Sequence, residues 1–183
     1  SSNAVAVVES IAKERGVDTV IMIPDKFLAQ NVANQTKIKV IAWHGRCEVH
    51  ERFSADDIRR FKADHPGAVV LAHPECPADV VAECDFAGST SAMTQYVLDR
   101  RPPRVVLLTE CSMADNISAQ HRDVEFLRPC NLCPHMKRIT LAKILRSLQT
   151  MQFEVKVDAA VAERARAAVE KMLAVGKPKP AVH

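Results

Sequence analysis

Aromatic side chains are scarce in this chain. One Trp, one Tyr and six Phe among 183 residues leave few platforms on which bases could stack. An excess of one charge is also lacking. The 25 Lys and Arg stand against 22 Asp and Glu, spread along the sequence, for a net charge of +3. Without a basic stripe or aromatic interleaving, nucleic acid is not an expected partner. No apolar run approaches the roughly 18 residues that a membrane-spanning helix needs, so no membrane partner is expected either. The N-terminus carries no secretory signal pattern, and the expected location is cytoplasmic.

What is present suits a packed domain. At 48% hydrophobic residues the chain can bury a sizeable core, enough for one domain or one and a half small ones. Six cysteines would suggest disulfides in a small secreted domain. Here they lie beside His, Pro and Glu in a regular α/β pattern, which points to metal or redox chemistry in a reducing compartment. The sequence has no initiator Met and opens on a helix-capping Ser1-Ser2-Asn3. Residues 2–4 also read as a tag remnant, although the repeat described below argues that they are native. The expectation is a cut through a larger protein.

Apolar spacing predicts helices over 4–14, 26–35 and 90–99, after Ser54, after Thr140 and over 158–174. Short apolar runs predict strands at 20–23, 40–43, 69–72, 105–108 and 124–127, with a short extended piece at 85–87. Pro77 suits the first position of a helix. Residues 177–183 read as a frayed tail. Short strands alternating with helices of about ten residues give an α/β fold with mostly parallel strands and helices on both faces. Ligands then belong beyond the carboxyl ends of the strands. Pro24-Asp25, His44–Arg52, His73–Cys76, Gly88–Thr90, Thr109–Cys111 and Cys130–His135 fall there.

A weak internal repeat runs through the chain. Ser1–Val5 answers Ser89–Met93, Ile21–Asp25 answers Val106–Glu110, and Cys47 answers Cys133, 86 residues later. Equivalent points of duplicated units can meet on one axis, which suits a shared metal centre. Two ligand sets compete. Zinc could use Cys47, His50, Cys130 and Cys133. An iron–sulfur cluster could take one cysteine from each repeat, Cys47 and Cys133, with a third from a unit upstream. Cys84, Cys76 and Cys111 read as small buried hydrophobes. His73 and Glu75, two apart at a strand end, can both reach a cleft as acid/base partners. A solvated loop is the plainer reading of that pair. Ser1, Ser89 and Thr90 open helices whose free N–H groups suit anions, although plain capping accounts for most such serines.

Four motifs carry a resemblance. Trp-x-Gly-x-Cys-x-Val-His-Glu-Arg-Phe (43–53), Ala-His-Pro-Glu-Cys (72–76), Gly-Ser-Thr-Ser-Ala-Met (88–93) and Cys-Pro-x-Met-Lys-x-Ile-Thr (133–140) resemble quinolinate synthase, over residues 1 to about 148. The resemblance implies repeated three-layer αβα units with short parallel sheets, in a pseudo-threefold three-domain architecture around one [4Fe-4S] cluster. Residues 1–53 would be the C-terminal half of the central unit, 54–150 the last unit, and 151–183 a C-terminal helix and tail. It implies condensation of iminoaspartate with dihydroxyacetone phosphate to quinolinate, phosphate and water in NAD biosynthesis, with the open iron as Lewis acid. L-Aspartate oxidase, which supplies iminoaspartate, is the implied partner.

By the same resemblance, Cys47 and Cys133 are cluster ligands, and His73, Glu75 and His50 are catalytic. Ser1, His73, Pro74, Glu75, Ser89 and Thr90 bind substrate, and Thr109 does so more weakly. Cys130, no ligand in this pattern, would form a Cys-x-x-Cys pair with Cys133 and act as a redox switch. The third cluster cysteine is absent, and His44 stands where the family often has Pro. The isolated chain is therefore expected to be inactive. A zinc-stabilised non-catalytic domain and a degenerate pseudo-enzyme are the alternatives.

Overall fold

The computed structural model describes residues 2–175. These fall into two compact units that divide between Leu132 and Cys133. The first unit holds α1 (Ala4–Arg15), β1 (Thr19–Met22), α2 (Lys26–Ala33), β2 (Lys39–Ala42), α3 (Ala55–Asp64), β3 (Val69–Ala72), α4 (Ala78–Ala82), β4 (Phe86–Ala87), α5 (Thr90–Arg100), β5 (Arg104–Leu108), α6 (Cys111–Ser118) and β6 (Glu125–Leu127). The second holds α7 (Leu141–Thr150) and α8 (Ala159–Ala174). Short 3-10 turns span His50–Arg52 and Met136–Arg138. No described helix is long and apolar enough to cross a membrane.

Every strand pair is parallel, and two sheets form, β1-β2 and β4-β3-β5-β6. The larger sheet is the middle of three layers. Alternating side chains of its central strands serve opposite faces. Val70, Ala72, Val106 and Leu108 pack with Ile58, Val80 and Phe53 on the α3–α4 side. Leu71, Val105 and Leu107 pack with Met93, Val97, Ala114 and Ile117 on the α5–α6 side. Strands buried on both faces must be apolar throughout, which is why 69–72 and 105–108 read as unbroken runs. Fully burying Leu71 or Met93 is worth roughly 2 kcal/mol apiece.

The smaller sheet is covered on one face only. Val20, Met22 and Val40 pack against Val8, Leu28 and Val32 of α1 and α2. The other face leaves Ile21, Ile23, Ile41 and Trp43 exposed, Ile21 by 72% and Ile23 by 67%.

The repeat extends through the secondary structure. The series α1, β1, α2, β2, 3-10 turn, α3 recurs as α5, β5, α6, β6, 3-10 turn, α7 at spacings of about 86 residues. Ser54 and Thr140 cap the sixth element in each copy, accepting from Asp57 N and Lys143 N. Two expectations need correction. A helix forms over Cys111–Ser118, where the apolar spacing predicts none, and Pro77 precedes α4 as its N-cap instead of opening it.

Candidate active site

β3 and β5 pair in register, with Ala72 beside Leu108. The next residues, His73 and Thr109, therefore leave the sheet side by side at its carboxyl edge. His73 N donates to Leu108 O at 3.3 Å and fixes the exit. His50 arrives from the 3-10 turn that Phe53 anchors in the core. Its Nε2 meets Thr109 Oγ1 at 3.0 Å, and its Nδ1 faces Glu75 Oε2 at 3.1 Å. The His50 and His73 rings stack with centroids 4.5 Å apart. His73 Nδ1 lies 3.7 Å from Glu75 Oε2 and accepts from the Glu75 backbone N–H at 3.3 Å.

This packing sets the protonation states. Burial pushes the His73 imidazole down to about 4, helped by the neighbouring His50 and opposed by Glu75. The hydrogen bond with His50 holds the Glu75 carboxyl below its usual range against burial. Near neutral pH the cluster thus holds an ionised carboxylate beside a neutral imidazole. Because His73 Nδ1 accepts, its proton sits on Nε2.

Cys47 lies next to this network. Its sulfur, a His50 ring nitrogen and a Glu75 oxygen lie within 4.8 Å of one another, a donor set suited to a borderline cation. Of the six cysteines, only some can supply a thiolate. Burial pushes the Cys76 thiol up strongly and Cys84 to about 12. Cys111 and Cys130 form a disulfide with Cα atoms 5.2 Å apart. Cys47 and Cys133 are free and half-buried. The Met136 N–H donates to the Cys133 sulfur at 3.5 Å.

The disulfide corrects three readings. Cys111 is half-buried and bonded, not a buried hydrophobe. Cys130 pairs with Cys111 and not with Cys133. The zinc set of Cys47, His50, Cys130 and Cys133 loses one sulfur to that bond.

Ser89 is buried and caps α5, its hydroxyl accepting from Ala92 N at 3.3 Å. Thr90 is exposed in the first turn of that helix, and Pro74 is half-buried between His73 and Glu75. Ser1 lies outside the described residues, as does the 177–183 tail.

The family model described as Quinolinate synthetase A protein matches residues 1–174. The chain belongs to this family. It is 61% identical over 175 residues to quinolinate synthase 2 of Mesorhizobium japonicum, an alignment covering 96% of this chain and 53% of the relative. It is also 61% identical to quinolinate synthase of Xylella fastidiosa, covering 96% and 50%. Against the Caulobacter vibrioides quinolinate synthase it is 58% identical over 182 residues, covering 100% and 49%. The chain spans about half the length of these curated quinolinate synthases.

Two more polar residues lie beside the site: Asp25, which the sequence places at a strand end, and Asn31, which it does not single out. Asp25 is buried and accepts from Leu28 N at 2.7 Å and Cys47 N at 2.9 Å. Asn31 is buried and donates to Pro74 O at 2.9 Å and Cys76 O at 3.0 Å. Asp25 stood out by its place just after the β1 run and Pro24. Nothing in the sequence around Asn31 marks its partners 43 and 45 residues away.

Proposed function

We propose that the whole protein containing this chain is a quinolinate synthase that condenses iminoaspartate with dihydroxyacetone phosphate in NAD biosynthesis. The observation that carries this reading is the His50–Glu75–His73–Thr109 network beside Cys47, at the carboxyl ends of β3 and β5.

The donor chemistry fits a [4Fe-4S] cluster. Cys111 and Cys130 are bonded and burial holds Cys76 and Cys84 as thiols, which leaves Cys47 and Cys133, at equivalent places in the repeat, as its proposed ligands. When bound, the cluster would supply an open iron as Lewis acid. The chain's own groups handle protons and orientation. Ionised Glu75 accepts a proton, directly or from His50 Nδ1. His73 holds a transferable proton at Nε2. Thr109 fixes the His50 ring. Such groups suit a condensation that loses phosphate and water, where carbon acids are deprotonated and leaving oxygens protonated. Ser89 and Thr90, at the N-terminus of α5, are the proposed anion-binding residues, and Ser1 is proposed with them. L-Aspartate oxidase is the proposed source of iminoaspartate.

The bare face of the β1-β2 sheet supports a pseudo-threefold, three-unit protein. Val106 and Leu108 are fully buried under α3 and α4. Their counterparts in the first copy, Ile21 and Ile23, are exposed. A covering segment like 55–87, supplied by the rest of a protein twice this length, would bury them. On this reading residues 1–53 finish the central unit, 54–150 form the last, and 151–183 are the C-terminal helix and tail. With two cluster thiolates, the 183-residue chain alone does not turn over.

The test is Glu75→Gln and His73→Gln in the full-length protein. Each should lower kcat by about 10²- to 10⁴-fold while iron and sulfide content stay at wild-type levels. Wild-type kcat in both variants would overturn the assignment.

A further inference from the structure

We propose that α2 is a bracket whose two polar residues, Asp25 and Asn31, hold the Cys47 loop and the His73–Cys76 turn at a fixed spacing. Cys47 and the His73/Glu75 pair come from segments remote in sequence. Something rigid must set the distance between them. A helix does so well, because its rise is fixed and its side chains sit on a stiff backbone.

At the N-terminal end of α2, Asp25 spends one carboxylate oxygen on capping, accepting from Leu28 N, and the other on the Cys47 N–H. Lys26 N donates to Gly45 O at 2.8 Å, a second tie to the same loop. The approach is close enough that a Cβ on Gly45 would lie 2.2 Å from Pro24 O. One helical turn and a half further on, about 9 Å along the axis, Asn31 gives both amide hydrogens to the carbonyls of Pro74 and Cys76. Those two carbonyls flank Glu75. Both side chains are buried, so each bond is made away from competing water.

The residue types recur, and so does the acid cap. Glu110 stands at the counterpart of Asp25 and caps α6 through Ser112 N. Asn116, at the counterpart of Asn31, is exposed, so the buried tie to a neighbouring turn belongs to α2. Neither Asp25 nor Asn31 reaches the reacting groups, so both are positioning residues.

The proposal rests on Cys47 being a cluster ligand and His73/Glu75 the acid/base pair, and the test separates the two levels. Asp25→Ser keeps a capping oxygen for the start of α2 but is too short to hold Cys47 N. Asn31→Ala removes the tie to the turn. Asn31→Asp keeps its size but opposes both carbonyls. All three are made in the full-length protein, with circular dichroism confirming that each folds.

In cluster-free protein, alkylation of Cys47 by iodoacetamide, followed by peptide mass spectrometry, should be faster in Asp25→Ser than in wild type. After reconstitution, Asp25→Ser should lose iron about 10- to 100-fold more readily. Both Asn31 variants should keep the cluster and wild-type KM, with kcat lower by a similar factor and its pH profile displaced. Wild-type alkylation in Asp25→Ser together with wild-type kcat and pH profile in both Asn31 variants would overturn the bracket. Faster alkylation with unchanged iron retention would uphold it and remove Cys47 from the cluster instead.

Discussion

Acidification should unfold this protein through His73 before it affects most carboxylates. In the folded state burial lowers the His73 imidazole from 6.5 to about 4. In the unfolded chain it returns to its ordinary value near 6.5. The unfolded state therefore binds the extra proton between those two values, and stability must rise with pH across that window. The contribution is fully present above about pH 6.5 and disappears progressively as pH falls toward 4. Complete loss corresponds to roughly 3 kcal/mol at most, a large share of the stability of an ordinary domain. Glu75 acts in the same direction lower down. Its folded-state carboxyl is held below 4.5, so its contribution is lost as pH falls through and below that value. Urea unfolding from pH 8 to pH 4, with ¹³C-detected titration of the histidine rings, measures both effects. His73→Gln should flatten the slope between pH 6.5 and 4. A His73 midpoint at or above 6.5 would refute the argument, because the ring would then be hydrated or charged in the folded protein.

Three further outcomes follow from the packing and the sulfurs. Val106→Ala should cost roughly 2 kcal/mol in urea unfolding of this chain, whereas Ile21→Ala at the equivalent exposed place should cost under about 0.5 kcal/mol. In the full-length protein the Ile21→Ala cost should rise to roughly 2–4 kcal/mol, and an unchanged value would contradict a covering segment. Thiol counting under denaturing, non-reducing conditions should find four free cysteines, with a cross-linked peptide joining Cys111 to Cys130. A Cys130–Cys133 peptide would reverse that assignment. Reduction of the Cys111–Cys130 bridge, which closes a 19-residue separation, should lower stability by about 3 kcal/mol.

The strands were legible because a sheet covered on both sides demands unbroken apolar runs, and 69–72 and 105–108 supply them. Helices α3, α5 and α7 announced themselves through Ser54, Ser89 and Thr140. The helix over Cys111–Ser118 did not. Its Ser112, Asp115, Asn116 and Ser118 are poor helix formers, and its cap, Glu110, follows the strand with one residue between. Packing of Ala114 and Ile117 on the sheet overrides that weak propensity.

The site divides the same way. His73 and Glu75 stand out at a strand end, where ligands gather in α/β sheets. The stacking of His50 on His73 needs the β3–β5 register, which no local pattern encodes. Disulfide partners cannot be read from six cysteines alone. Cys130 accordingly looked closest to Cys133 in sequence while bonding to Cys111 in space.

The most direct test of the account is the iron and acid-labile sulfide content of the full-length protein carrying Cys47→Ser, Cys133→Ser or Cys84→Ser, reconstituted anaerobically and followed by electron paramagnetic resonance. The cluster should be lost in the first two and kept in Cys84→Ser, whose thiol is held protonated by burial. A full cluster in Cys47→Ser would contradict the account.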